Sequence, residues 1–417
     1  MQSSLRRLLL VISFGLASCF HSPPRFWTFS RNTQSRHFCP FSNKPCMTLE
    51  TPRKIWKIEK PGNIDQLKLV DDILPAPSDS EVRVKVKYVG LNFADVFTVL
   101  GMYDAAPRDQ AVVPGLEFCG IVESIGNARV SATSSNPLRE GDRVMGVTRF
   151  GAFATHINVG SNFIRKVPDS WTAEQGAGFV VQALTAWYGL VELGAAARGK
   201  LALVHSAAGG VGLHALQVCR MLGMEAVGVV GSEEKAAWLR HHMDLPHDQV
   251  VVRPRDAASF ALGIRRAAAA AGRAQGYDII MDSVAGRYFA PGFESLAPAG
   301  RHVLFGAATF TPKCDVGLSP WTWEFWSRTV PQFLSRPRVD VQRMIGQNRA
   351  VMGFNLIWLT DGHTDPERLG RMIDEMLRAG VWRPPTVDRC FDFSEAPEAL
   401  RYFKSGSNIG KVVLRVS

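Results

Sequence analysis

The chain has 417 residues, more than one hydrophobic core usually serves, and 46% hydrophobic with 21% charged residues is ordinary globular usage that excludes a disordered chain. The net charge of +10 is uneven: residues 1–49 hold six basic side chains and no acid, leaving 42 basic against 38 acidic residues from 50 onward. No basic run or repeat remains to bind nucleic acid, and none of the seven cysteines forms a CxxC pair, so neither a nucleic-acid partner nor structural zinc is expected.

Arg6 and Arg7 precede an apolar run from Leu8 to Phe20, about the length of a signal-peptide core and short of a bilayer span. The acid-free, Ser-, Pro- and Arg-containing stretch to Met47 resembles a transit peptide, and the two together resemble the two-part leaders of organelles bounded by extra membranes. A plastid is favoured over a mitochondrion, with the leader removed near residue 46; a plain mitochondrial or secretory leader, or a start at Met47, are the alternatives. From Lys54 to Val167 short alternating runs, such as Val82, Val84 and Val86 against Arg83, Lys85 and Lys87, predict a β-rich domain. Further strands are read at 119–125, 143–147 and 152–159, and Ala128–Glu140 is a surface loop by composition. Gly176–Gly189 is read as a buried helix.

From Leu201 strands alternate with helices: 201–205, 226–230, 250–253, 277–282, 302–306 and 350–354 are the strands of a doubly wound parallel sheet. Between the first two, Val211, Ala215, Val218 and Leu222 mark one helix face, and Ser206–Gly212 (SAAGGVG) joins strand to helix. Small residues there let the backbone approach a pyrophosphate at the amides of a helix N-terminus. The second strand ends Val230-Gly231-Ser232 where an NAD site usually carries an acid. Gly231 and Ser232 leave room for a 2′-phosphate, with Lys235 and Arg253 in reach; in the competing reading Ser232 caps the helix, Glu233 accepts from the ribose and Lys235 is solvated. NADPH is favoured.

In this order, Leu91-Asn92-Phe93-Ala94-Asp95, Gly101–Asp104, Pro114–Glu117, Gly141–Val144, His205–Gly212, Asn348–Phe354 and Asn408–Leu414 resemble the zinc-free quinone oxidoreductase group of the medium-chain dehydrogenase/reductases, closest to the VAT-1 homologue branch. The resemblance implies an α/β fold: a GroES-like β-barrel catalytic domain at 47–172, completed by 358–417, and a Rossmann domain with a parallel sheet at 173–357. It places Asn92 and Thr185 near the nicotinamide ribose, and Gly209, Gly210, Val211 and Gly212 at the pyrophosphate. Gly231, Ser232, Lys235 and Arg253 then surround the 2′-phosphate, while Ser283, Phe305, Gly306, Ala307, Gly353, Phe354 and Asn408 approach the cofactor elsewhere. Arg253 stands where the group often has Tyr, and Phe97 where some members have a Tyr. Zinc-binding relatives carry Cys in place of Asn92 and His in place of Leu116, so no metal is expected.

Without a metal to polarise a carbonyl, suitable acceptors are a quinone or a conjugated enone or enal, with Tyr103 and Asn92 as candidate donors to the developing oxyanion. A non-catalytic, nucleotide-holding lipid or vesicle-trafficking protein and a 2-enoyl-thioester reductase are the alternatives. His156 and His205 lie in strand patterns and read as structural. Segment 320–341, with Trp321, Trp323, Trp326, Arg328, Arg336 and Arg338, is read as a lid, a dimer contact, a membrane-surface patch or a helix burying its tryptophans. A homodimer is expected.

Overall fold

The computed structural model describes residues 50–107, 110–126, 137–317, 323, 326–327, 330–334, 336–360 and 367–417. The expected leader (1–46) lies outside them, as do most of the Ala128–Glu140 loop, Trp321 and Arg328.

The first half of the described chain supplies seven antiparallel strands, β1 (Thr51–Lys57), β2 (Lys68–Leu74), β3 (Glu81–Gly90), β4 (Glu117–Ile125), β5 (Arg143–Val147), β6 (His156–Gly160) and β7 (Ile164–Lys166), the last five in one sheet. β1 and β2 form a separate hairpin, and the last two strands of the chain join the main sheet. The alternation in β3 buries Val82, Val84 and Val86. Arg83, expected to face solvent, is buried too, because its guanidinium reaches Asn158 Oδ1 at 3.2 Å, Thr51 Oγ1 at 2.5 Å and the Pro75 carbonyl. The strand read at 152–159 begins only at His156, since Ala152 to Thr155 turn back onto Pro114, Gly115 and Lys54.

Helix α1 (Phe93–Val99) follows β3, and α2 (Ala173–Ala177) and α3 (Val180–Trp187) lead out of the barrel. The chain then alternates: β8 (Leu201–His205), α4 (Gly210–Met221), β9 (Glu225–Val230), α5 (Glu233–His242), β10 (Val250–Val252), α6 (Ala257–Ala270), β11 (Tyr277–Asp282), β12 (Leu296–Leu304) and β13 (Ala350–Gly353). These six strands form one parallel sheet in the order β10-β9-β8-β11-β12-β13. β8 is buried along its whole length because both faces are covered. Ala202 and Val204 join a core with α3 and α4, while Leu201 and Leu203 join Phe260 and Ile264 of α6. β12 starts six residues earlier than its apolar run suggests: Pro298-Ala299-Gly300 reads as a turn, yet Ala299 takes a φ of 64° and the strand continues through it.

The chain returns to the barrel through β14 (Val387–Asp392), α7 (Ala396–Ser405) and β15 (Lys411–Arg415), with β15 antiparallel to β3. The C-terminal segment thereby completes the barrel sheet. It also touches the glycine turn, for Gly410 N donates to Ala208 O at 2.7 Å and Gly209 bridges to Gly410. No helix among the described residues is long and apolar enough to cross a membrane.

Candidate functional site

A cleft of about 720 Å³, within the usual range for a small-molecule site, is lined by the carboxyl ends of the parallel strands, by α1 and by the chain after β13 and α7. Every residue expected at the site lines it except Ser232, which caps α5 instead.

At one end, β8 stops at His205 and the turn runs through Ser206, at φ 50°, into the N-terminus of α4. Gly212 has no room for a side chain: a Cβ there would stand 2.4 Å from Ser206 O. A Cβ on Gly210 would meet Gln182 Oε1 at 2.7 Å, so the turn presents bare backbone, and the first amides of α4 have no partner within the helix. Beyond β9, Gly231 opens onto Arg253, whose Nη2 lies 3.8 Å from the position of a Gly231 Cβ. The Arg253 guanidinium sits over the Tyr288 ring at 5.3 Å, and its Nη1 is buried with no partner. Glu233 points outward toward Arg240 with a side chain 78% exposed and does not line the cleft. Lys235 is neither free nor solvated. Its ammonium donates to Gly406 O at 2.6 Å and Asn408 O at 2.7 Å, tying α5 to the C-terminal segment.

Below the turn, Ser283 donates to Ser206 Oγ at 3.0 Å, and Asp282 accepts from the amides of Val284 and Ala285. Despite burial, the facing His205 ring, the His302 ring at 3.0 Å and those amides hold Asp282 well below the usual carboxylate range. Burial pushes His205 down to about 4, so it is neutral at pH 7. His156 lies outside the cleft, beside Thr155 and Glu123.

At the other end, Asn92 caps α1 and is wholly engaged. Its Nδ2 donates to Gly90 O and to Glu117 Oε1, both at 3.1 Å, while its Oδ1 accepts from Gln182 Nε2 at 2.5 Å and Lys411 Nζ at 3.2 Å. Lys411 also pairs with Glu117, both side chains almost inaccessible, so a buried ammonium stands beside this acid. Asp95 below accepts from Asn92 N at 2.7 Å and Gly115 N at 3.0 Å; burial lifts it to about 7 against those bonds and the Lys411 charge. Among the described residues no group of His, Cys, Asp or Glu is arranged to hold a metal.

The wall above this network is aromatic and aliphatic, with Phe93, Phe97, Leu116, Val147, Phe354 and Ile357. Tyr103 donates to Asn355 Oδ1 at 2.8 Å, and burial raises its phenol to about 12. Thr185 donates back to Val181 O at 2.6 Å within α3, and Asn408 donates to Gly410 O at 2.8 Å. Sequence reading gave no role to Gln182, Asn355 or Lys411. A lysine in a C-terminal strand reads as surface, and nothing local announces that β15 carries it beneath β3.

The family profile described as "Alcohol dehydrogenase GroES-like domain" matches residues 78–169, and that described as "Zinc-binding dehydrogenase" matches 245–414. The chain is 32% identical over 362 residues to a rat protein named synaptic vesicle membrane protein VAT-1 homolog, covering 85% of this chain and 81% of that one. It is 30% identical over 364 residues to a highly reducing polyketide synthase of Alternaria alternata, covering 86% of this chain but spanning only 12% of the synthase. Two mycobacterial structures are each 28% identical and cover 87% of this chain and 99% of theirs: one complexed with NADPH (TM-score 0.70) and one a quinone oxidoreductase (TM-score 0.66).

Proposed function

The chain belongs to the medium-chain dehydrogenase/reductase superfamily, in the branch of the VAT-1 homologues and quinone oxidoreductases, and from that premise we propose that it is an NADPH-dependent, zinc-independent oxidoreductase that passes hydride to a quinone or a conjugated enone or enal. The observation that carries the proposal is the continuity of the cleft, from a bare-backbone glycine turn beside a guanidinium with one buried, unpartnered nitrogen to an aromatic wall.

The residues present fit the cofactor. The free amides of α4 and the turn without side chains suit a pyrophosphate, and Gly231 with Arg253 suits the 2′-phosphate. Bound there, NADPH supplies a hydride. Phe305, stacked on Phe354 at 6.0 Å, offers a flat apolar surface at the ends of β12 and β13. The Lys411–Glu117–Asn92–Gln182 network fixes the polar floor of the acceptor end, and the aromatic wall excludes water from a conjugated acceptor held close to the reacting carbon. With Lys411 beside Glu117, a carbonyl has no metal to polarise it, which favours acceptors that delocalise charge.

A second reading, reduction of a 2-enoyl thioester, is favoured by the match along the length of the chain to a region of a reducing polyketide synthase. Trp323 and Trp326 are exposed, 83% and 40% accessible, so these two do not bury against the sheet, and their exposure supports an outward role for segment 320–341 as a lid, a dimer contact or a membrane-surface patch. The test is NADPH oxidation by the full chain against quinones, 2-alkenals and enoyl thioesters. Turnover with the first two supports the proposal, turnover confined to thioesters moves it to the second reading, and tight NADPH binding with no turnover leaves a nucleotide-holding protein.

A further inference from the structure

Tyr103, on the barrel side, and Asn355, just past β13, meet 252 residues apart in sequence, and both line the cleft. Two groups fix the orientation of the Asn355 amide. The Tyr103 hydroxyl donates to Oδ1 at 2.8 Å, and the Ile357 N–H, which can only donate, faces the same oxygen at 3.4 Å. The amide nitrogen is therefore turned away from both, and nothing among the described residues accepts from it.

Most other side-chain donors at this end are engaged. The Asn92 nitrogen serves Gly90 and Glu117, and Thr148 donates to Phe150 O at 2.9 Å. Thr185 donates to Val181 O, Thr360 to Ile357 O at 2.6 Å, and Tyr103 to Asn355. Alongside the second N–H of Gln182 and the partnerless Thr311 hydroxyl, the Asn355 amide is a cleft-lining side-chain donor left for an acceptor oxygen, and it alone stands on the wall that Tyr103 orients.

We infer that Asn355, through its amide N–H, is the catalytic residue that donates to the acceptor oxygen as charge builds on it, and that Tyr103 is the positioning residue that aims it. The inference deepens the proposed oxidoreductase reading and rests on it. With an enone, the β-carbon gains a hydride and its electron pair from the reduced nicotinamide, and the C=C pair moves to form the C–C=C–O⁻ enolate. The enolate oxygen is held by the Asn355 N–H. Water then protonates the α-carbon and leaves hydroxide to the buffer. A donor set in place before the reaction needs no reorganisation as the charge appears.

Three variants separate the roles. Asn355→Asp keeps both bonds to Oδ1 and removes the N–H donors, Asn355→Ala removes them without adding charge, and Tyr103→Phe removes only the aiming bond. With an enone and NADPH, kcat should fall about 100-fold in both Asn355 variants, the size expected for one preorganised donor, and by less than about tenfold in Tyr103→Phe. Independently of turnover, 4-nitrophenol titrated into the protein without NADPH reports an oxyanion through its phenolate absorbance. Its affinity should drop at least about tenfold in Asn355→Ala and less in Tyr103→Phe. Thermal melts matching the unmodified chain exclude misfolding. A loss in Tyr103→Phe as large as in the Asn355 variants, in either assay, would overturn the inference and make the phenol the donor. If the unmodified chain reduces no acceptor, the oxidoreductase reading fails, and the nitrophenol titration still decides where an oxyanion is held.

Discussion

The two ends of the cleft are built by opposite means. At the nucleotide end, one turn of seven residues (206–212) and the tips of two neighbouring strands supply almost everything, and the essential feature is missing side chains. At the acceptor end, the polar floor is assembled from Asn92, Glu117, Gln182 and Lys411, which come from the cap of α1 and from β4, α3 and β15. A site made of backbone tolerates change poorly at single positions but depends little on the rest of the chain. A site made of a buried charge network depends on every member.

That contrast is broken most sharply by Lys411→Met. Removing one partner of a buried ion pair leaves Glu117 uncompensated and should cost about 3–5 kcal/mol in urea denaturation. The double variant Glu117→Gln/Lys411→Met should recover most of it, and a loss that persists would show that the network is not governed by charge. Gly212→Val comes next. Its side chain would collide with Ser206 O, and NADPH binding by fluorescence titration should weaken at least about 100-fold, or about 2.7 kcal/mol, while 4-nitrophenol binding is unchanged. Equal loss of both ligands would mean that the two ends are not independent.

Arg253→Ala should lower the preference for NADPH over NADH about tenfold or more, since a charge-assisted hydrogen bond contributes about 1.5–3 kcal/mol. Lys235→Ala should do less, because its ammonium is held by two carbonyls of the C-terminal segment. A larger effect at Lys235 would reverse the assignment.

A further effect is in pH. His205 and His214, both buried, are depressed from 6.5 to about 4, in each case mainly by burial. Both are neutral in the fold while the unfolded chain binds protons, so each contributes stability above pH 6.5 that is lost as pH falls toward 4. The slope is about 1.4 kcal/mol per pH unit for each. Asp95, raised to about 7, acts in the opposite sense: its stabilising contribution is full below its unfolded pKa and fades as pH rises through 7. His214→Gln should flatten urea stability between pH 4 and 6.5, and an unchanged slope would mean that His214 titrates normally.

The same contrast explains what the sequence made legible. β8, β11 and β5 fall on the expected residues because a buried strand announces itself as a short apolar run. The glycine turn was readable because its residues are contiguous and small. The bonds of Lys235 were not legible, since the carbonyls that hold it arrive from 171 and 173 residues away, although it lines the cleft as expected. Asn355 and Lys411 carried no local signal: a polar residue after a strand acquires meaning only when Tyr103 meets it, and a lysine in a strand only when the C-terminal segment folds back onto the barrel.

On the proposed function, hydride passes from NADPH to a conjugated acceptor within this cleft. This is tested most directly by incubating the full chain with NADPH deuterated at nicotinamide C4 and an enone, then locating the label by mass spectrometry. Deuterium at the β-carbon of the reduced enone, lost when Gly212→Val replaces the unmodified chain, is the predicted result. An enone recovered unreduced while NADPH is bound, or a product without label when each C4 face is deuterated in turn, would contradict it.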